Sequence, residues 1–468
     1  MGKKRVVIIG GGPGGYAAAF LAADLGMQVT LIDENSQPGG VCLHRGCIPS
    51  KSLLHLSKLI EETREAEVFG LKFQPPEIDL SRIRDWNREV ISKMTKGLIS
   101  LCKQRGVKFV QGRGRLLDSN SLALNNKETL EFDHCILATG SQPVCPTLFS
   151  QIGNRLLTST TALELEDIPQ NLLVVGGGYI GLEMGTIYAS LGSRVTVVEI
   201  TGELLPGVDR DLVRPLHVRL KTKFQDILLE TQVVSCELKD NQVVTQLEGP
   251  ENTLTNHYDR VLVAVGRKPN TIDIGLESTK IKTDKHGFIE VDEKFQTAEP
   301  SISAIGDVIG GAMLAHKASA EGKAVIDILA GEDSRQKEHN VPAVVFTDPE
   351  IAWCGLTETK AKNDNMKVQV VKFPWGASGR AQTLGRTEGV TKLILDPDNE
   401  KILGMGISGV GAGELIGEGV LAIDHGLKAQ DLADSIHPHP TLSETIMESA
   451  EAFYGKATHI YKRPRKKQ

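Results

Sequence analysis

The segment KKRVVIIGGGPGGYAAAFLAADLGMQVTLID, residues 3–33, returns in altered form as NLLVVGGGYIGLEMGTIYASLGSRVTVVE, residues 171–199. This duplication constrains the fold more than any other feature of the chain. Each copy reads as an apolar strand, a glycine turn, a helix of small residues and a second strand ending in an acid. The first copy carries Gly10, Gly12 and Gly15 and closes on Asp33; the second carries Gly176, Gly178 and Gly181 and closes on Glu199. The first glycine and the acid stand 23 residues apart in both. A lone G-x-G-x-x-G is a weak signal, but two in this context with the acid in register are a strong one. The first glycine permits a tight turn, the second lets backbone approach a diphosphate, and the third lets the helix pack on the strand. Helix N-terminal N–H groups hold the phosphates, and the acid accepts hydrogen bonds from an adenosine ribose. The chain is therefore expected to bind two dinucleotides. Glu199 would repel a 2′-phosphate, and EITGELLPG (199–207) contains no arginine. The second site is thus expected to take NAD rather than NADP.

The rest of the 468-residue chain fits around these two units. Its length predicts two to four domains. Abundant glycine (48 residues) and scarce aromatics (4%) favour an α/β fold with many tight turns over a β-sandwich. HCILATGS (134–141) and RVLVAVGRKP (260–269) are short apolar strands ending in glycine, each able to return the chain to its own nucleotide sheet. SISAIGDV (301–308) is another buried strand, ending in Gly-Asp. Its Asp307 needs a partner, either a cofactor hydroxyl or a turn cap. After Pro342 long polar stretches precede GMGISGVGAGELIGEGVLAI and HPHPTLSE, a change of character that predicts a separate α+β domain. The expected division is a first dinucleotide domain over 1–150, a second over 151–270, a central domain over 271–341 and the α+β domain over 342–468.

A net charge of −6 argues against nucleic acid as the main partner. The basic tail YKRPRKKQ reads as a solvated flexible terminus. No apolar run approaches the ~18 residues of a membrane span, and the apolar run that opens the chain is expected to be a first strand rather than a secretory leader. Of seven cysteines, five are scattered: Cys102, Cys135, Cys145, Cys236 and Cys354. That pattern argues against a secreted disulfide framework and for a reducing, cytoplasmic compartment.

The other two cysteines, Cys42 and Cys47, lie in GGVCLHRGCIPSK (39–51). A regular helix holds residues five apart too far from each other for a bridge, which needs Cα atoms within roughly 7 Å. Bridging requires a distorted helix start, and Gly39, Gly40, Gly46 and Pro49 supply irregularity there. A zinc site needs two further ligands at sensible spacing, and none adjoins. The residues favour a redox-active pair over a metal clip or two inert thiols. Lys51 lies one helical turn after Cys47, where its ammonium would stabilise a thiolate; a plain surface lysine is the competing reading. In HPHPTLSE (437–444) two prolines stiffen the approach of His439, and Glu444 is placed to hold its imidazole. T-L-S-E is equally a capping box, with Thr441 as N-cap. His437 and His439 compete for any acid–base role.

Six segments, GGGPGGYAAA, CLHRGCIPSK, GGGYIGLE, AIGDV, MLAHKASAEG and HPHPTLSE, carry a resemblance that spans essentially the whole chain. It resembles the pyridine nucleotide–disulfide oxidoreductases, most closely those members that oxidise dihydrolipoamide. The resemblance implies two Rossmann-like domains for FAD and NAD, a central domain completing the FAD site, and an α+β dimerisation domain. It implies FAD contacts from Gly10, Gly12, Gly15, Gly114, Thr139, Gly140 and Ser141. Asp33 would bind the FAD ribose, and Asp307 the ribityl chain. Met313, Leu314, Ala315 and His316 would line the flavin's pyrimidine end, and Lys51, paired with Glu183, would sit by its N5. Gly176, Gly178, Gly181, Glu199 and Gly266 would serve NAD. Cys42 and Cys47 would form a redox disulfide, Cys47 nearest the flavin and Cys42 the interchange thiol. His439, oriented by Glu444, would be the acid–base, reaching the cysteines from the partner subunit of a homodimer. The implied partners are lipoyl domains of 2-oxo-acid dehydrogenase complexes or the glycine cleavage system. A glutathione-reductase-like activity is the alternative, and Glu199 argues against its NADP preference. The chain departs from the common pattern at Val41 (usually threonine), His44-Arg45, Asp33 (usually glutamate) and Pro438 (usually alanine). Arg45 is expected to add positive charge near the cysteines and favour the thiolate.

Overall fold

In the computed structural model, which describes residues 3–125, 127–332 and 340–461, each glycine-turn segment builds the centre of its own five-stranded parallel sheet. The first sheet runs Ile302–Ala304, His134–Leu137, Arg5–Ile9, Gln28–Asp33, Lys108–Gln111. The second runs Asp226–Leu228, Arg194–Val198, Asn171–Val175, Arg260–Val263, Leu156–Thr158. HCIL and RVLV thus return to their own sheets, as their patterns predict, and SISA joins the first. Val6, Ile8, Leu31, Leu172, Val174 and Val197 are all buried. Such strands read as continuous apolar runs because helices cover both faces of a parallel sheet.

The glycines repeat in geometry as well as in sequence. Gly10 and Gly176 both have φ +110°, and a Cβ on them would lie 2.1 Å from the Ala138 carbonyl oxygen and 2.5 Å from that of Ala264. A Cβ on Gly15 or Gly181 would fall within 2.1 Å of the carbonyl oxygen of Gly10 or Gly176. First and third glycines are steric requirements. Around the middle glycines the space is open: a Cβ on Gly12 would meet nothing nearer than 3.9 Å, and one on Gly178 nothing within 4 Å.

Helix Ala315–Ala330 lies against helix Pro13–Asp24, and small residues set the distance. A Cβ on Gly322 would meet the Gly14 carbonyl oxygen at 2.5 Å. The small-residue run ASAEG within MLAHKASAEG is therefore packing chemistry.

The expected α+β domain is present. Its antiparallel sheet has the order Ala343–Val345, Glu350–Gly355, Ile402–Gly409, Val390–Leu395, Gln369–Pro374. Helices Ala412–Asp424 and Glu444–Phe453 share its apolar core. Lys392, 1% exposed, reaches from this sheet to Asp209 (2.6 Å) and Asp211 (2.8 Å) of the second nucleotide unit, and to Glu358 (2.9 Å). Those three carboxylates are the one grouping among the described residues spaced to hold a metal ion. The Lys392 ammonium already occupies the position of a cation there. No helix among the described residues is long and apolar enough to cross a membrane. The basic tail, apart from Tyr461, lies outside the described residues.

Candidate active site

At the C-terminal ends of the first sheet's strands lies a cavity of about 740 Å³. Its walls include the glycine turn, Asp33, Gly114, Thr139–Ser141, Asp307, Met313, Ala315 and the two cysteines. Helices Pro13–Asp24 and Ala315–Ala330 both open into it at their N-termini, through Pro13 and Gly14 and through Ala315 and Ala318. Their unpaired N–H groups and positive dipole ends suit an anionic ligand.

Each repeat closes on a buried acid held the same way. Asp33 Oδ2 accepts from the Gly11 N–H at 2.6 Å, while Oδ1 accepts from the Asn35 N–H (2.8 Å) and Nδ2 (2.7 Å). Glu199 Oε2 accepts from the Gly177 N–H at 2.7 Å, and Oε1 from the Thr201 N–H and Oγ1, both at 2.9 Å. With the open space at Gly12 and Gly178, this donor and acceptor set fits two dinucleotides.

The connection between the two units brings residues to the cavity that sequence reasoning missed. Ser141–Pro143 pairs with Arg267–Pro269 as a two-stranded ribbon. Arg267 donates to Ser141 Oγ and O, both at 2.7 Å, and Ser141 Oγ donates to Asp307 at 2.5 Å. Asn270 is tied to Thr139 by reciprocal hydrogen bonds of 2.8 and 2.9 Å. The similar glycine-containing ends of HCILATGS and RVLVAVGRKP were the available signal. Asp307 therefore has a hydroxyl partner inside the protein, Ser141, while still facing the cavity.

The cysteine segment is broken where its glycines predict. Gly40–Arg45 forms one short helix and Cys47–Glu65 another, with Gly46 between them at φ −149°, ψ −114°. A Cβ on Gly46 would meet the Val41 carbonyl oxygen at 2.9 Å. Gly40 has φ +61°, and its Cβ would lie 2.6 Å from Gly12 Cα, so the redox helix rests directly on the dinucleotide turn. Gly40→Ala is expected to cost about 1–3 kcal/mol. The midpoint of thermal unfolding, read by circular dichroism, should fall.

Cys42 and Cys47 both line the cavity. Each thiol shifts the acidity of the other. Donation from the Cys42 thiol pulls Cys47 down to about 7; burial opposes this, and the Lys51 ammonium reinforces it. The same hydrogen bond, then burial, pushes Cys42 strongly upward. Lys51 Nζ bonds Glu183 Oε2 at 2.8 Å, with Glu183 only 3% exposed. The pair is clamped from the C-terminal domain: the Phe346 N–H donates to Glu183 Oε1 at 3.0 Å, and the Phe346 ring lies 4.6 Å from Lys51 Nζ. The Lys51–Glu183 pair bears out the expectation; Phe346 carried no sequence signal.

One expectation needs correction, and the other predicted residues take definite places. Arg45 does not act on the thiols: its guanidinium turns to Asn35 Oδ1 at 3.3 Å, and the charges that shift Cys47 come from Lys51 and Glu183. Of the pyrimidine-end residues, Met313 and Ala315 line the cavity, whereas Leu314 caps the following helix. His316 points outward, its Nε2 2.7 Å from the Pro342 carbonyl oxygen. That is the helical alternation of the segment from residue 315 onward. Gly266 (φ +132°) serves the ribbon turn, its carbonyl accepting from the Val144 N–H at 3.0 Å.

His439 and Glu444 stand apart from the cavity of their own chain. His439 Nδ1 is 2.8 Å from Glu444 Oε1 and its side chain is 71% exposed. Glu444 Oε2 accepts from the Thr441 N–H at 2.7 Å, so one carboxylate both orients the imidazole and fixes the loop before the helix. T-L-S-E is not a capping box: the helix starts at Glu444 with Ser443 as its N-cap, and Thr441 Oγ1 donates to the Pro438 carbonyl at 2.7 Å. His437 leaves the competition, being 8% exposed with Nε2 on Glu418 Oε1 (2.9 Å) and Nδ1 on the Ser435 carbonyl (2.8 Å).

A dinucleotide cavity with a split thiol pair at its floor, beside a second dinucleotide turn, defines a flavin-type disulfide oxidoreductase. Residues 4–322 match the model of the pyridine nucleotide-disulphide oxidoreductases and residues 341–450 that family's dimerisation domain, and the chain belongs to this family. Its cofactors are FAD and NAD. It is 42% identical to the dihydrolipoyl dehydrogenase of Vibrio parahaemolyticus, over 98% of this chain and 97% of that one. It is 41% identical to that of Geobacillus stearothermophilus, over 98% of each. Among solved structures it is similar to LpdA from Mycobacterium tuberculosis (TM-score 0.89, 28% identity, 96% and 99% of the chains). It is also similar to the HOCl-induced flavoprotein disulfide reductase RclA from Escherichia coli (TM-score 0.85, 30% identity, 96% and 99%).

Proposed function

We propose that the chain is a dihydrolipoyl dehydrogenase, oxidising protein-bound dihydrolipoamide to lipoamide with reduction of NAD+. The observation that carries this is the placement of the thiol pair: Cys42 and Cys47 line the dinucleotide cavity beside the Lys51–Glu183 ion pair.

The oxidised enzyme holds a Cys42–Cys47 disulfide. His439, with Nδ1 fixed by Glu444, takes the proton of a substrate thiol on Nε2. The resulting thiolate attacks Cys42 Sγ; the Cys42–Cys47 bond breaks and a substrate–Cys42 disulfide forms. Cys47 leaves as the thiolate that Lys51 stabilises. The second substrate thiol displaces Cys42, releasing the cyclic lipoyl disulfide and leaving both cysteines reduced. When bound, FAD supplies the two-electron chemistry that links the dithiol to NAD. Asp33, Asp307, Ser141 and the Gly10–Gly15 turn hold FAD, and the Gly176–Gly181 turn with Glu199 holds NAD.

His439 cannot serve the cysteines of its own cavity, so the working unit is a homodimer whose partner subunit lends the histidine–glutamate pair. The family's dimerisation domain supports this reading. Lipoyl domains of a 2-oxo-acid dehydrogenase complex or the glycine cleavage system are the partners, in a reducing cytoplasm. The test is NAD+ reduction by dihydrolipoamide, run beside NADPH oxidation by glutathione disulfide. Activity is expected in the first assay; activity confined to the second would sink the proposal.

A further inference from the structure

We infer that Arg45 is a cofactor-binding residue, the cation that faces the diphosphate–ribose portion of FAD. The inference rests on FAD occupying the large cavity and is independent of which dithiol is oxidised.

Four cationic side chains line that cavity: Arg45, Lys51, Arg113 and Arg267. Three are already matched with carboxylates. Lys51 is 2.8 Å from Glu183, Arg113 is 3.4 Å from Glu34, and Arg267 is 3.9 Å from Asp307. Among the described residues Arg45 is the one lining cation with no carboxylate within 4 Å; its hydrogen bond goes to the neutral amide of Asn35. A dinucleotide diphosphate brings two negative charges to the glycine turn. Backbone N–H groups supply its hydrogen bonds there, and Arg45 supplies the uncommitted charge.

Position agrees with charge. Arg45 ends the short helix that begins at Gly40, and Gly40 abuts Gly12 in the dinucleotide turn. Asn35, which Arg45 holds, donates to Asp33, the acid of the ribose site. The duplication provides an internal comparison. In the second unit the residue equivalent to Asn35 is Thr201, whose hydroxyl serves Glu199 and the Glu203 carbonyl within its own loop. Only the first unit's acid is braced from the redox helix. Arg45 thus links cofactor retention to the segment that carries Cys42.

The test uses the purified holoenzyme dimer and reads FAD release by flavin fluorescence at a fixed urea concentration. Arg45→Met is expected to release FAD about tenfold faster, the size of one lost charge-assisted hydrogen bond. Arg45→Lys should restore the rate to within about threefold of wild type. Release from wild type should accelerate between about 50 and 500 mM NaCl, and that salt dependence should shrink in Arg45→Met. A release rate for Arg45→Met within about twofold of wild type would overturn the inference, as would an Arg45→Lys rate equal to that of Arg45→Met with unchanged salt dependence, since packing alone would then explain the effect. Wild-type protein purified without any flavin would instead refute the FAD reading on which the inference rests.

Discussion

His439→Gln is expected to lower dihydrolipoamide-dependent NAD+ reduction by about 10²–10⁴-fold, the usual range for loss of a positioned general base. Glutamine keeps a polar side chain beside Glu444 but cannot take the proton of a thiol. Flavin content should not change, because His439 and Glu444 lie outside the cavity of their own chain. NADH-driven reduction of ferricyanide, which needs no thiol chemistry, should persist. Undiminished dithiol turnover would remove His439 from the mechanism. The same variant tests the dimer. His439→Gln and Cys47→Ser chains are each inactive in the proposed scheme, but a mixed dimer pairs an intact cysteine couple with an intact histidine from the other chain. Co-expression should restore activity; a mixed dimer that stays dead would show that the site is not shared in this way.

What could be read from the chain beforehand, and what could not, divides along sequence distance. The nucleotide units were legible because most required residues are local. Gly15 meets the Gly10 carbonyl of its own turn, and Asp33 and Glu199 bond the second residue of theirs; of these four only Gly10 answers to a distant strand end, at Ala138. The helix break at Gly46 was legible for the same reason. Arg267 was not, since its bonds to Ser141 cross 126 positions through a ribbon that no periodicity announces. Phe346 clamps Glu183 across 163 positions. His437 and His439 are equal in sequence and separated only by what surrounds them: Glu418, on helix Ala412–Asp424, occupies the first and leaves the second free to act. Arg45 shows the converse error. Two residues from Cys47 in the chain, it was expected to charge that thiol, yet the turn at Gly46 sends it to Asn35.

Cys42→Ala should raise the pKa of Cys47 from about 7 to or above the ordinary cysteine value of about 8.5. The direction follows from the order of causes. Hydrogen bonding from Cys42 is the largest influence holding Cys47 down, burial pushes the other way, and Lys51 helps less than Cys42 does. Remove the donor, and burial is opposed only by the smaller pulls of the ammonium and a backbone hydrogen bond. Near pH 7 about half of wild-type Cys47 in the reduced enzyme is thiolate, and in the variant only a few per cent would be. Because the thiolate is the reactive form, alkylation of Cys47 by iodoacetamide should slow by roughly tenfold at that pH and recover in alkali. Peptide mapping after alkylation separates Cys47 from exposed Cys145. Lys51→Met should shift the alkylation profile in the same direction by less. If the two variants ranked in the opposite order, the ammonium rather than the neighbouring thiol would set the acidity of Cys47. The division of labour in the pair would then have to be sought in Lys51 and its Glu183 partner.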